Sequence, residues 1–215
     1  MVSVIVAVMD FVHPVQAVIP GAQGRMLAVL AETTAELNLR TLARLAGVSV
    51  AQASRVMPGL VDLGLVERRE VPPSSQFRLN RSNVAAQAIV DLARSRDTAL
   101  NRIGAAARAR PIPPVSVIIF GSFARGEAGV DSDIDAVVIR PHNIAEDDDA
   151  WGTSIESWRT EVRAITGNPV EILEIDHTVA VSRLAGTEQL WRDIARDGIA
   201  VHGLTIAELL EPVHA

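Results

Sequence analysis

Three short stretches of the chain carry residue types suited to phosphate and metal chemistry. Asp133 and Asp135 flank Ile134 where an apolar run begins. Residues two apart on a strand project from the same face, so both carboxylates can converge on a hard divalent cation, and magnesium accepts such oxygens together with substrate phosphates. Like charges held that close are costly without a cation. Gly121-Ser122 lies between the apolar run at residues 115–120 and a helical pattern. Glycine lets a backbone approach closely, the free amides at a helix start point at an anion, and the Ser122 hydroxyl adds a hydrogen bond to a phosphate oxygen. Glu171, between Val170 and Ile172, is the candidate third carboxylate, with Glu174 as a nearby competitor. Such a set would complete a two-metal site, in which one ion activates an attacking hydroxyl and the other stabilises a leaving pyrophosphate.

Other polar residues near these stretches have two readings. Arg125 is suited to a triphosphate, or to a surface ion pair with Glu127. Ser132 is expected to shape the turn before Asp133 rather than to react. His13, His142, His177, His202 and His214 are scattered without ligand spacing, and there is no cysteine, so thiolate ligands and disulfides are excluded.

The elements that must hold the carboxylates follow from periodicity. Residues 115–120, 134–139 and 170–175 read as buried strands, with helical patterns at 148–165 and 188–197. That alternation predicts a small α/β domain. The acidic run at residues 146–149 reads as a solvated loop or helix start.

The front of the chain has a different rhythm. Residues 23–33 predict a helix with Met26, Leu27 and Leu30 on one face, followed by an extended piece at 36–39. Thr41 is expected to cap a short helix ending at Gly47. Ser49 opens a third helix with Gln52 in a Ser-x-x-Gln capping box, apolar positions Val56, Leu60 and Leu63, and Gly64 as its end. Pro58 inside it removes a backbone donor and favours a kink. Residues 65–71 and 76–79 read as two strands around a Pro72-Pro73-Ser74-Ser75 turn. Residues 80–110 read as one long or two shorter Arg-bearing helices, with Ile89, Leu92, Leu100 and Ile103 buried.

Two resemblances attach to these residues. LARLAGVSVAQASRVMPGLVDLGLVERR followed by QFRLN, within residues 22–80, resembles the winged helix-turn-helix regulators. It implies double-stranded DNA as partner, with Gln52 and Arg55 at base edges or phosphates and Arg68, Arg69 and Arg78 at phosphates near the wing. Gln52 has a competing role in the capping box, and Glu67 and Glu70 dilute the wing's field. Gly-Ser, ten residues, then Asp-x-Asp resembles the minimal nucleotidyltransferases of the DNA polymerase beta-like superfamily. GSFARGE with SDID is most similar to small bacterial members, among them antibiotic nucleotidyltransferases and antitoxins that adenylylate a toxin. NPVEILEID resembles their later acidic strand, with Glu171 where Asp is usual, and the likeness spans residues 113–203. It implies two magnesium ions and ATP or another nucleoside triphosphate. Asp133, Asp135 and Glu171 would be catalytic metal ligands, and Gly121, Ser122 and Arg125 nucleotide contacts.

Size and charge agree with two domains. A chain of 215 residues, 48% apolar, can bury two small cores. Residues 1–80 hold seven Arg against six Asp and Glu, residues 81–110 six against two, and the remainder seven against eighteen, for net charges of +1, +4 and −11. A basic front suits nucleic acid and an acidic rear suits metal, although solvated charge gives the same asymmetry. The apolar run at residues 2–8 is far shorter than a bilayer requires, so no membrane association and a cytoplasmic location are expected. The expected fold is α+β: a winged helix-turn-helix over residues 1–80, a helical linker at 81–110, and an α/β nucleotidyltransferase domain with a mixed sheet flanked by helices at 111–215. Two functions compete. One is a nucleotidyltransferase carried on a DNA-binding domain, modifying a protein or small-molecule hydroxyl within a toxin-antitoxin-like module. The other is a regulator whose rear domain only senses nucleotide. A homodimer, with residues 2–8 as an interface strand, is a further expectation.

Overall fold

The first unit is built on short-range signals that the chain states plainly. The computed structural model describes residues 9–129 and 131–211, and two compact units divide it, one spanning residues 13–95 and the other residues 96–211 with the segment before 13. The expected interface strand at residues 2–8, and His214, lie outside the described residues. In the first unit α1 (Pro14–Val18) and α2 (Gly21–Glu32) precede β1 (Leu37–Asn38), α3 (Leu39–Leu45) and α4 (Val50–Asp62). Then come β2 (Val66–Val71), β3 (Ser74–Leu79) and α5 (Val84–Ala93). The three strands form an antiparallel sheet in the order β1-β3-β2. Met26, Leu30, Leu42, Met57, Leu60 and Phe77 are at the centre of its core. Three helices and a hairpin in this order make a winged helix-turn-helix.

Its capping departs from expectation at one point. Asn38, not Thr41, caps α3: the Asn38 side chain accepts from the Thr41 amide at 2.9 Å, because the helix starts three residues earlier than the apolar pattern suggests. The Ser49–Gln52 capping box is present in both directions. α4 runs on through Pro58 to Asp62. Its buried face is Ala53, Met57 and Leu60, whereas Leu63, expected on that stripe, is the C-cap and 66% exposed.

In the second unit α6 (Ser95–Arg108) leads to β4 (Ser116–Phe120), the short α7 (Gly121–Arg125) and β5 (Ile134–Arg140). α8 (Asp149–Thr166), β6 (Val170–Asp176), α9 (His177–Leu184), α10 (Gln189–Asp197), β7 (Ile199–Gly203) and α11 (Ile206–Leu210) complete it. The sheet is mixed, in the order β6-β5-β4-β7, with β5 and β6 parallel and the other neighbours antiparallel. A parallel pair needs a crossover, and α8 supplies it. Asp148 in the acidic run caps α8 by accepting from the Trp151 amide at 2.8 Å. Alternation along the strands gives the sheet two apolar faces. Ile134, Ala136 and Val138 meet Trp151, Trp158 and Ile103 on one, and Val137 and Ile139 meet Trp191, Ile194 and Ala180 on the other. The Arg-bearing stretch is two helices, α5 within the first unit and α6 within the second.

Candidate active site

Strand register gathers the acidic residues. Phe120 of β4 faces Asp135 of β5 in the antiparallel ladder, and Asp135 faces Glu171 of β6 in the parallel one. These three residues therefore form a row across the sheet. The chain turns into α7 immediately after Phe120, which carries Gly121 alongside the Asp135 carboxylate. Gly121 has φ of 68°, and a Cβ built on it would overlap Asp135 Oδ2. Both facts demand glycine here.

Electrostatics set Asp135 apart. Its carboxyl is pushed above the usual carboxylate range, first by burial, then by the negative charges of Asp133 and Glu171, with the Arg125 guanidinium opposing. Asp135 is half-buried, while Asp133 and Glu171 are exposed. Asp133 stands just ahead of β5, and hydrogen bonds fix its approach. The Gly129 amide donates to Ser132 Oγ at 3.1 Å, and Asn168 Nδ2 donates to the Ser132 carbonyl at 2.7 Å. Ser132 thus shapes the turn. Asn168, fully buried, was not foreseen; a polar residue in the loop before a strand gives no signal of its partner in sequence.

Glu174 is on the other face of β6. It forms an ion pair with the nearly buried Arg140 and accepts from Trp151 Nε1 at 2.9 Å. Residues three apart on a strand point to opposite faces, so Glu171 rather than Glu174 accompanies Asp135.

α7 is held from outside the motif. Arg96 Nε donates to the Phe123 carbonyl at 2.8 Å and a second guanidinium nitrogen donates to that of Ala124. These are last-turn carbonyls, of which that of Phe123 also accepts from the Gly126 amide at 3.2 Å, and a cation suits this end of the helix. Arg125 makes the surface ion pair with Glu127, at 2.8 Å, and its charge also reaches Asp135 and Asp197.

Among the described residues no three His, Asp or Glu side chains stand close enough to form a metal cluster. The donor chemistry nevertheless fits magnesium. Three carboxylates share one neighbourhood, the innermost is destabilised in its charged form, and magnesium needs only one or two carboxylates when phosphates supply further oxygens.

In the winged-helix unit Gln52 and Arg55 are exposed on α4, and Gln52 is held in the capping box. The wing arginines are engaged. Arg68 pairs with Glu70 at 2.6 Å, Arg78 with Glu67 at 2.7 Å, and Arg69 Nε with Glu36 at 2.8 Å. Arg40 and Arg44 on α3, which the sequence reading passed over, are exposed.

Comparison with known proteins gives the same division. Residues 104–182 match the family model for a nucleotidyltransferase domain, and residues 24–70 match that for an IclR helix-turn-helix domain. No curated protein matches the chain. A solved structure described as the crystal structure of the toxin-antitoxin with AMP-PNP is similar at 15% identity, over 52% of this chain and 78% of that chain, with a TM-score of 0.36. A likeness that slight carries no weight here.

Proposed function

We propose that the chain is a magnesium-dependent nucleotidyltransferase carried on a DNA-binding domain, transferring a nucleoside monophosphate, AMP from ATP, to a hydroxyl on a protein or small molecule. The observation that carries this reading is the Asp135 carboxylate lodged against Gly121, in register with Glu171 and raised in pKa by burial and by two like charges. Asp133, Asp135 and Glu171 would hold two magnesium ions. Gly121 and Ser122 would hold the triphosphate, with Arg125 leaving Glu127 to neutralise it. When bound, the metal supplies Lewis acidity to the phosphates and acidifies the acceptor hydroxyl. In the transfer a bond forms between the hydroxyl oxygen and the α-phosphorus, the bond to the β-phosphate bridge breaks, pyrophosphate leaves and the hydroxyl proton is released.

The acidic cluster serves this chemistry by being unstable alone, since cation binding relieves the repulsion on Asp135. The helix-turn-helix supports double-stranded DNA as a partner. No helix among the described residues is long and apolar enough to cross a membrane, in keeping with a cytoplasmic protein. The placement in a toxin-antitoxin-like module, where the chain controls its own operon and modifies or is bound by a partner, rests on the resemblance of GSFARGE and SDID alone, and a homodimer rests on the habit of winged-helix proteins. The exposure of Glu171 favours one second reading, a regulator that binds nucleotide without turning it over. Incubation with magnesium and α-labelled nucleoside triphosphates across candidate acceptors separates the two: transfer of label, lost in Asp135→Asn, supports the enzyme, and binding without transfer supports the sensor.

A further inference from the structure

The arginines of α3, α4 and the hairpin fall into two electrostatic classes. Those of the wing are spent. Arg68 Nε also donates to Ser75 Oγ at 3.1 Å, while Ser75 donates to Glu70 at 2.9 Å, so Arg68, Ser75 and Glu70 close on themselves. Arg78 gives both Nε and a terminal nitrogen to Glu67, each at 2.7 Å. Arg69 is bound through two nitrogens to Glu36, beside β1. Each wing guanidinium thus carries its counter-charge with it, and the hairpin presents little net field. Arg40 and Arg44 on α3 and Arg55 on α4 differ: all three are exposed and have neither an ion-pair nor a hydrogen-bond partner among the described residues.

All three belong to the helix-turn-helix itself, α3 and α4. Arg40 and Arg44 are one turn apart on the same side of α3. Arg40 borders a groove of about 650 Å³ in front of α4, lined in part by Leu39, Val50, Met57 and Phe77 and also by Asp62 and the wing's Arg68; Arg44 and Arg55 lie outside that lining. Exposed guanidinium groups without a carboxylate partner are the donors that phosphate oxygens take. A phosphate meeting a wing arginine must instead displace a carboxylate already bonded there, which releases no counter-ion from the protein's side.

We propose that the DNA backbone is bound by the unpaired arginines of the helix-turn-helix, Arg40, Arg44 and Arg55, and that the wing takes no phosphate. This rests on the reading of the unit as DNA-binding. It sharpens the sequence expectation, which placed Arg68 and Arg69 with Arg55: the wing's role is to shape one wall of the groove.

The salt dependence of binding tests this. Affinity for a short fluorescent duplex of random sequence is measured by anisotropy across a range of salt, using the full chain. Each phosphate neutralised adds about 0.9 to the slope of log K against log salt. Arg40→Gln, Arg44→Gln and Arg55→Gln are each expected to flatten the slope by about that amount, and Arg→Lys at the same positions to restore it. Three charge-neutral pair removals, Arg68→Gln with Glu70→Gln, Arg69→Gln with Glu36→Gln and Arg78→Gln with Glu67→Gln, are expected to leave the slope unchanged. So is Arg94→Gln, which removes an exposed arginine on the far end of α5. Circular dichroism confirms that each variant is folded. Flattening by the wing pairs, or by Arg94→Gln as much as by Arg55→Gln, overturns the proposal while leaving DNA binding in place. No binding by the unmodified chain at low salt overturns both.

Discussion

Gly121 is fixed by two independent constraints, a left-handed backbone and a carboxylate where a side chain would begin. The left-handed conformation alone costs a non-glycine residue about 1–2 kcal/mol, and the overlap with Asp135 adds to it. Gly121→Ala is therefore expected to lower stability by at least about 2 kcal/mol in a denaturant titration and to abolish nucleotide transfer, because relief of the clash moves Asp135. Asp135→Asn acts in the opposite direction on stability. A carboxyl whose folded pKa is raised contributes stability below the ordinary Asp value, and that contribution is lost as pH rises through the folded value. At neutral pH the ionised group is a net cost, partly screened because it is only half-buried. Without divalent cations Asp135→Asn is expected to melt higher by roughly 2 °C at neutral pH, with the gap closing in acid. Excess magnesium should raise the melting point of the natural chain and not that of the variant. A variant that melts lower at neutral pH, with no change in magnesium response, contradicts the description of Asp135. The closeness of Gly121 and Asp133 to Asp135 was legible in the sequence because their spacing is short. The partnership of Asp135 with Glu171 was only a candidate, since it depends on the register of β5 against β6, which no local pattern encodes.

α7 shows how an element can be decided from elsewhere. Five residues make too short a helix to stand by propensity, and its stability comes from the interior strand β4 before it, from Phe123 buried in the core and from Arg96 behind it. Hydrogen bonds from a charged donor contribute about 1.5–3 kcal/mol each. Arg96→Ala is expected to speed amide exchange across residues 121–126 and to raise the KM for nucleoside triphosphate about tenfold with little change in kcat, a loss of ground-state positioning of about 1.4 kcal/mol. Arg96→Lys should recover part of that loss, since an ammonium reaches the carbonyls without the fork of donors. An unchanged exchange rate in Arg96→Ala would show that α7 holds itself. The periodic elements α2, α4, α8, α10, β4, β5 and β6 were readable because apolar spacing is written within each, with a side-chain cap added at α4 and α8. α1, α9, β7 and α11 were missed: α1 and α11 are five residues each, α9 follows β6 with only Asp176 as its cap, and β7 is a five-residue edge strand whose residues are all partly exposed or exposed.

At the scale of the whole chain, two units with separate cores carry two chemistries, and the charge division of the sequence maps onto them. The acidic surplus lies in the unit that holds Asp133, Asp135 and Glu171, where a cation would offset it. The winged-helix unit keeps Glu36, Glu67 and Glu70 as partners to the wing, which leaves Arg40, Arg44 and Arg55 of α3 and α4 with their charge uncompensated by an ion pair. The central claim is that the row Phe120–Asp135–Glu171, closed by Gly121, is a working nucleotidyl-transfer site. Its most direct measurement is magnesium-dependent transfer of label from an α-labelled nucleoside triphosphate to an acceptor, including the chain itself, compared among the natural protein, Asp135→Asn and Glu171→Gln. The account predicts transfer by the natural protein, loss by at least about 100-fold in each variant, a barrier increase of roughly 2.7 kcal/mol, and no transfer with chelator. Equal labelling by Asp135→Asn contradicts it.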